Sequence, residues 1–213
     1  MKSFFKIITI AALFFLAADV AFSQTVEPVK TGDILNWKNT PLISVGRDVV
    51  DGVETLESSP IKIDGISGDR MYTFPTGLLL RNKDFAVLKR ADKVLSADRS
   101  FNYLPQSLSA GETWKHTTYD GSARCGKIKY DYVATSAEGP EVLLKIKGVL
   151  TKLKTLTVIH EGVWYSAACG GSGRAYLKYV FSPELYELVQ IENRYFYGIF
   201  LTKGERRVVE SIN

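Results

Sequence analysis

The sequence predicts an all-β protein: a mainly antiparallel, curved sheet of roughly ten strands with little helix, built as a barrel, half-barrel or sandwich. Three observations predict it. Short strand-like runs lie between closely spaced turn signals. Several runs alternate apolar and polar residues with period two, among them Ile128-Lys129-Tyr130-Asp131-Tyr132. The chain carries 11 Tyr, 11 Phe and 3 Trp, residues that suit a pleated surface, and shows no long amphipathic helical run.

Taken in order, Asp51-Gly52 separates Ser44–Val50 from Val53–Leu56, and an Asp-Gly pair favours a type I′ hairpin because both turn positions need positive φ. An acidic turn is expected at Asp64-Gly65-Ile66-Ser67-Gly68-Asp69, which lacks the closing Glu of a calcium loop. Asn82-Lys83-Asp84 separates Gly77–Leu80 from Phe85–Lys89, and Asp120-Gly121 separates Thr113–Tyr119 from Lys127–Ala134. Val142–Ile146 and Leu188–Glu192 alternate as half-buried strands do. Leu156–Tyr165 and Ala175–Phe181 are more continuously apolar and read as central strands. Helical signal is confined to Thr31–Trp37, as a turn or short helix, and to Phe181–Leu185, with Ser182 as N-cap and Pro183 at the first helical position.

The N-terminus reads as a secretory leader over residues 1–23. Lys2 and Lys6 precede a twelve-residue apolar run, Ile7–Ala18, and Ala21-Phe22-Ser23 places small residues before Gln24. The run is shorter than a bilayer span. Cleavage leaves residues 24–213 as an exported β-rich domain, periplasmic or secreted, with no further membrane span. The formal charge is +4, from 27 Lys+Arg against 23 Asp+Glu, and it is spread too evenly to suggest a nucleic-acid partner.

Export sets the reading of Cys125 and Cys169. Outside the cytosol an even pair is most simply a disulfide, here tying two turns at one end of a sheet. Closing that loop is worth about 4 kcal/mol at most in the chain-entropy picture. A reactive thiol paired with His116 or His160 is the alternative, and oxidation would consume it. The ligand spacing of a zinc site is absent. No cofactor is expected.

A faint internal echo is present. Val29-Lys30-Thr31-Gly32-Asp33 precedes Trp37, and Leu108-Ser109-Ala110-Gly111-Glu112 precedes Trp114. It suggests two related β modules, near 27–105 and 106–213, with chance as the competing explanation. Gly32-Asp33, the Leu-Ser-Ala-Gly-Glu-Thr-Trp segment at 108–114, Gly-Val-Trp-Tyr-Ser at 162–166 and Leu177-Lys178-Tyr179 together resemble uncharacterised exported β-rich proteins of bacterial envelopes. The chain departs from that pattern at Ala167, where Pro is expected, and at the inserted Cys169-Gly170-Gly171. The resemblance implies export and a β fold, and it carries no activity and no catalytic residues. A likeness to half-barrel lipid carriers of the envelope is one of architecture only.

Motifs of catalysis do not assemble. Around Ser172, Gly170 fits a nucleophile elbow but Arg174 stands where its second Gly belongs, and the phosphate-loop Lys is missing. The stretch from Cys169 to Arg174 reads instead as a hairpin loop. His160 and Glu161 are adjacent on a strand and point to opposite faces. Trp37, Trp114, Trp164, Tyr165, Tyr176 and Tyr179 read as core or as the lining of an apolar pocket, with Trp114, Trp164, Tyr165 and Tyr179 the candidate ligand contacts. The functional expectation is a non-catalytic envelope protein binding a lipid, another small apolar or amphipathic ligand, or an envelope protein. A structural or interaction module and a hydrolase are the alternatives.

Overall fold

A computed structural model describes residues 26–53, 55–67, 69–74, 77–81, 87–90, 93–94, 108–122 and 126–213. The expected leader, the Asn82–Asp84 turn and Cys125 lie outside the described residues. Among those described there is no helix, and none is long and apolar enough to cross a membrane.

The strands are β1 (Ile34–Val45), β2 (Asp48–Asp51), β3 (Thr55–Ser67), β4 (Asp69–Phe74), β5 (Gly77–Arg81), β6 (Val87–Arg90), β7 (Lys93–Val94), β8 (Thr113–Ser122), β9 (Gly126–Glu138), β10 (Val142–Ile146), β11 (Val149–Leu153), β12 (Leu156–Ser166), β13 (Gly171–Ser182), β14 (Glu187–Tyr197) and β15 (Phe200–Ile212). One curled sheet runs β7-β6-β5-β4-β3-β1-β15-β14-β13-β12-β9-β8 and forms a half-barrel. Its pairs are antiparallel except the short contact of β10 with β15. The seam is β1 against β15, from Leu35 opposite Ile212 to Pro41 opposite Glu205, and it joins the first strand to the last. The central place of β12 and β13 follows their long apolar runs.

The two ends of the half-barrel differ. At one end lie the turns β1–β2, β12–β13 and β14–β15 and the start of β9. At the other, the β10–β11 hairpin leaves between β9 and β12 and folds over the core. Its inward Leu144 and Leu153 are fully buried and join Val158, Leu185, Leu188 and Ile212 in one cluster. Val29 N donates to the Leu185 carbonyl at 3.1 Å and Lys147 N to the Ile212 carbonyl at 2.7 Å, so the segment before β1 and the end of β15 are tied to this end.

The two echoing segments form turns of the same local geometry. Gly32 and Gly111 both turn with φ near +90°, at 98° and 89°. Each opens a strand that carries a tryptophan on the inner face. Gly32 N donates to the Ile63 carbonyl and Ile63 N to the Asp33 carbonyl, and Ser136 stands in the same relation to Gly111 and Glu112. The carboxylates of Asp33 and Glu112 each accept the backbone N–H three residues earlier, from Lys30 at 2.8 Å and Ser109 at 3.1 Å. The carboxylate closes the turn and the glycine supplies the left-handed backbone it needs.

Several local expectations are corrected. The first hairpin turns at Gly46-Arg47, with Gly46 at φ +64°, and not at Asp51-Gly52. Asp51 instead ends β2 and binds Arg206, while Gly52 N reaches the Pro41 carbonyl. The type I′ pattern of two positive φ values occurs at Lys147-Gly148. Asp120 and Gly121 lie inside β8, opposite Ile128 and Lys127. The acidic turn expected at Asp64–Asp69 joins two paired strands: Asp64–Ser67 ends β3, Asp69 opens β4, and Ser67 stands opposite Asp69. Residues 31–37 form a turn and then strand, and 183–186 form a turn whose Ser182 Oγ accepts the Leu185 N–H at 3.3 Å without a helix following.

Of the glycine-rich stretch, only Ala167–Gly170 is a turn, while Gly171–Arg174 already belongs to β13. Cys169, exposed in that turn, is disulfide-bonded. The chain's other cysteine is Cys125, and Gly126 beside it lies close to Ala168. Gly173 faces Trp164 across the strands, and the indole lies over it and donates to the Phe196 carbonyl at 3.0 Å. A Cβ at Gly173 would collide with that carbonyl oxygen and stand 2.6 Å from Trp164 Nε1.

Two outcomes follow. Gly173→Ala forces the indole off its seat and should cost about 1–3 kcal/mol of stability, read by urea unfolding. Intact mass of the mature chain should be lighter by two hydrogens before reduction, with Cys125 and Cys169 in one cross-linked peptide.

Candidate functional site

The inner face is read along one cross-strand row. Trp114 on β8 stands opposite Ala134 on β9, and Ala134 opposite His160 on β12. The row continues through Leu177 on β13, Asn193 on β14 and Glu205 on β15. Because strands lie about 4.8 Å apart, residues two strands away meet only across a small neighbour. Ala134 is that neighbour: it is fully buried, and the Trp114 and His160 rings meet over it edge to face at 5.9 Å.

His160 is the centre of the cluster. It is 1% exposed. His116 approaches it at 5.0 Å, Tyr179 at 5.3 Å and Tyr132 at 6.0 Å between centroids, all near perpendicular. His116 also stacks on Tyr132 at 5.3 Å. Among the described residues neither nitrogen of His160 has a hydrogen-bond partner, nor do Trp114 Nε1 and Asn193 Oδ1 in the same row. Burial first, and then the nearby His116, pull His160 down to about 3, and burial lowers His116 too. Both rings are therefore uncharged at neutral pH.

Of the four candidate ligand contacts, Trp114 and Tyr179 meet at His160. Trp164 shares their face but sits toward the β12–β13 turn, 6.4 Å from Tyr197. Tyr165 alternates to the outer face and is 54% exposed, so it stands apart from the other three. Trp37 is buried in the inner core, whereas Tyr176 lies on the outer face beside Arg194. Sequence reasoning treated the two histidines separately. Their meeting depends on the β8–β9–β12 register, and the signals available in advance were the alternation of the β9 run and the strand-like character of the β8 and β12 runs.

The outer face carries a second arrangement. Glu192 is buried on β14 and binds Arg194 Nε at 2.6 Å and Arg206 Nε at 2.9 Å. Arg206 also holds Asp51 at 2.9 Å. Glu192, Arg194 and Arg206, with Tyr176, Lys178 and Gln190, line an open groove of about 370 Å³. Burial and then the Glu192 carboxylate hold the Tyr176 phenol above its ordinary range. The two arginines neutralise a carboxylate that burial alone would disfavour, so the network reads as a strap of β2 to β14 and β15.

The imidazoles predict an acid-sensitive fold. A histidine kept neutral in the folded chain gains its proton on unfolding, near pH 6.5. The native state therefore keeps its full stability above that value and loses it as pH falls from there toward about 3. Between pH 7 and 5 His160 alone should cost about 2 kcal/mol, and His160→Leu should remove that part of the slope in urea titrations.

No protein-family model matches the chain, and no curated protein matches it. The chain is similar to three solved structures. One is a protein provisionally classed as a lipoprotein from Parabacteroides distasonis, 12% identical, covering 89% of this chain and 98% of that one at TM-score 0.45. The hypothetical lipoprotein YmcC from Escherichia coli is 8% identical, covering 90% and 92% at TM-score 0.43. An exported protein, provisionally so described, with a YmcC-like fold from Bacteroides fragilis is 9% identical, covering 89% and 99% at TM-score 0.42.

Proposed function

We propose that the chain is a non-catalytic protein of the bacterial envelope that holds an amphipathic ligand against the inner face of its half-barrel. The carrying observation is the row of unpartnered polar atoms at Trp114, His160 and Asn193. Each such buried atom costs about 1–3 kcal/mol. A ligand with an apolar body and a few polar atoms would recover that cost while resting on Tyr179, Leu177 and the Trp114 ring. Entry requires the rings over Ala134 to part. The expected leader and the disulfide-bonded Cys169 support a place outside the cytosol. His160 lacks the hydrogen-bonded carboxylate and nucleophile that a hydrolase needs, which supports the non-catalytic reading.

A second reading, an interaction module, is favoured by one feature. The β1–β2 and β14–β15 tips lie together, with Leu201 N donating to Ser44 Oγ at 3.3 Å, and they expose Ile43, Val45, Tyr197, Ile199 and Phe200.

Native mass spectrometry of mature protein taken from its own envelope separates the two. The ligand reading expects a retained amphipathic molecule that is lost in the double variant His160→Leu/Asn193→Leu. That variant should fold at least as stably, because its apolar side chains need no partner. Ligand-free ions from both proteins, or retention by both, would contradict the site.

A further inference from the structure

The β10–β11 hairpin has two faces of different chemistry. Inward, Leu144 and Leu153 are fully buried, with Val142 and Ile146 packed beside them. Outward, Leu143 stands opposite Lys152 and Lys145 opposite Leu150, so aliphatic and ammonium groups alternate in a checkerboard. Leu143 is 64% exposed and Leu150 68%, values more typical of lysine than of leucine in a folded chain. The turn adds Lys147 and the exposed Val149, and Lys154 follows β11.

The hairpin is rigidly presented. Its two-residue turn, its buried leucines and its contact with the last residues of β15 fix it to the core. Lys147 sits at φ 47°, where Asn, Asp or Gly would be easier. Lys145 and Lys154 have no carboxylate partner among the described residues. Lys147 lies 3.5 Å from Asp33 and Lys152 2.6 Å from Glu141, both ammonium groups more than half exposed. The Lys152–Glu141 pair, exposed on both sides, exchanges readily for another anion.

We propose that this face docks on a bilayer surface bearing anionic phospholipid headgroups. The charge pattern selects that occupant: four lysines on one small hairpin meet the phosphates while Leu143 and Leu150 enter the headgroup–acyl boundary. A protein partner of matched shape would not need lysine at every gap between the leucines. The rim at the opposite end, though apolar, carries Arg47, Asp48 and Lys203 without this alternation of aliphatic and ammonium groups. The inference is independent of whether the inner face holds a ligand.

Sedimentation of the mature chain with phosphatidylglycerol and with phosphatidylcholine vesicles tests it. The native chain is expected to bind the first and not the second, and to release as salt rises because the headgroup attraction is screened. L143S/L150S should weaken binding roughly tenfold or more through lost insertion, and K145E/K154E at least as much through charge reversal. Both variants alter exposed side chains, so thermal midpoints should stay near that of the native chain. Equal binding to both vesicles, no binding to either, or unchanged binding by K145E/K154E overturns the proposal. Retained binding by L143S/L150S does so too, since it would reveal attraction to any polyanion.

Discussion

An imidazole sealed among aromatic rings sets the terms for the inner face of this half-barrel. His160 is kept from water by Trp114, His116, Tyr132 and Tyr179, and it makes no hydrogen bond in return. Desolvation then decides its charge: a protonated ring there would have neither solvent nor carboxylate to stabilise it. The arrangement requires Ala134, because any larger side chain between Trp114 and His160 would separate their rings. It also requires that β8, β9 and β12 keep one register, since a slip of one residue would turn the whole row outward.

Outside that row, the sheet balances its polar groups in conventional ways. Glu192 is answered by two arginines, Trp164 by the Phe196 carbonyl, and the turn carboxylates Asp33 and Glu112 by backbone N–H groups. The contrast gives the inner row its meaning. Among the described residues Glu184 Oε2 also lies buried without a partner, but only along this row do Trp114, His160 and Asn193 bring such atoms onto one line, on the concave side of an open sheet.

Much of the fold was legible in sequence. Period-two alternation located β9, β10 and β14, and continuous apolar runs marked β12 and β13 as central. The Gly-Asp and Gly-Glu echo pointed to two turns that share their hydrogen bonds. Turn positions were less legible. Asp51-Gly52 and Asp120-Gly121 have strong turn chemistry, yet neither makes the expected hairpin: Gly46 supplies a positive φ earlier, so Asp51 ends β2, and β8 extends through Asp120-Gly121 to Ser122. The site was legible only in part. Trp114 and Tyr179 were singled out for their size. Tyr165 was grouped with Trp164 although adjacent strand residues face opposite ways. The meeting of His116 with His160 is set by cross-strand register, which a single sequence does not encode locally.

The central claim is that His160 lies dry and neutral inside the sheet. Titration of its ring resonances by NMR, assigned by comparison with His160→Leu, tests this most directly. The account predicts that they stay those of a neutral imidazole as pH falls well below 5, until the fold itself gives way. A reversible midpoint near 6.5 in the folded protein would mean that water reaches the ring, and it would contradict the account.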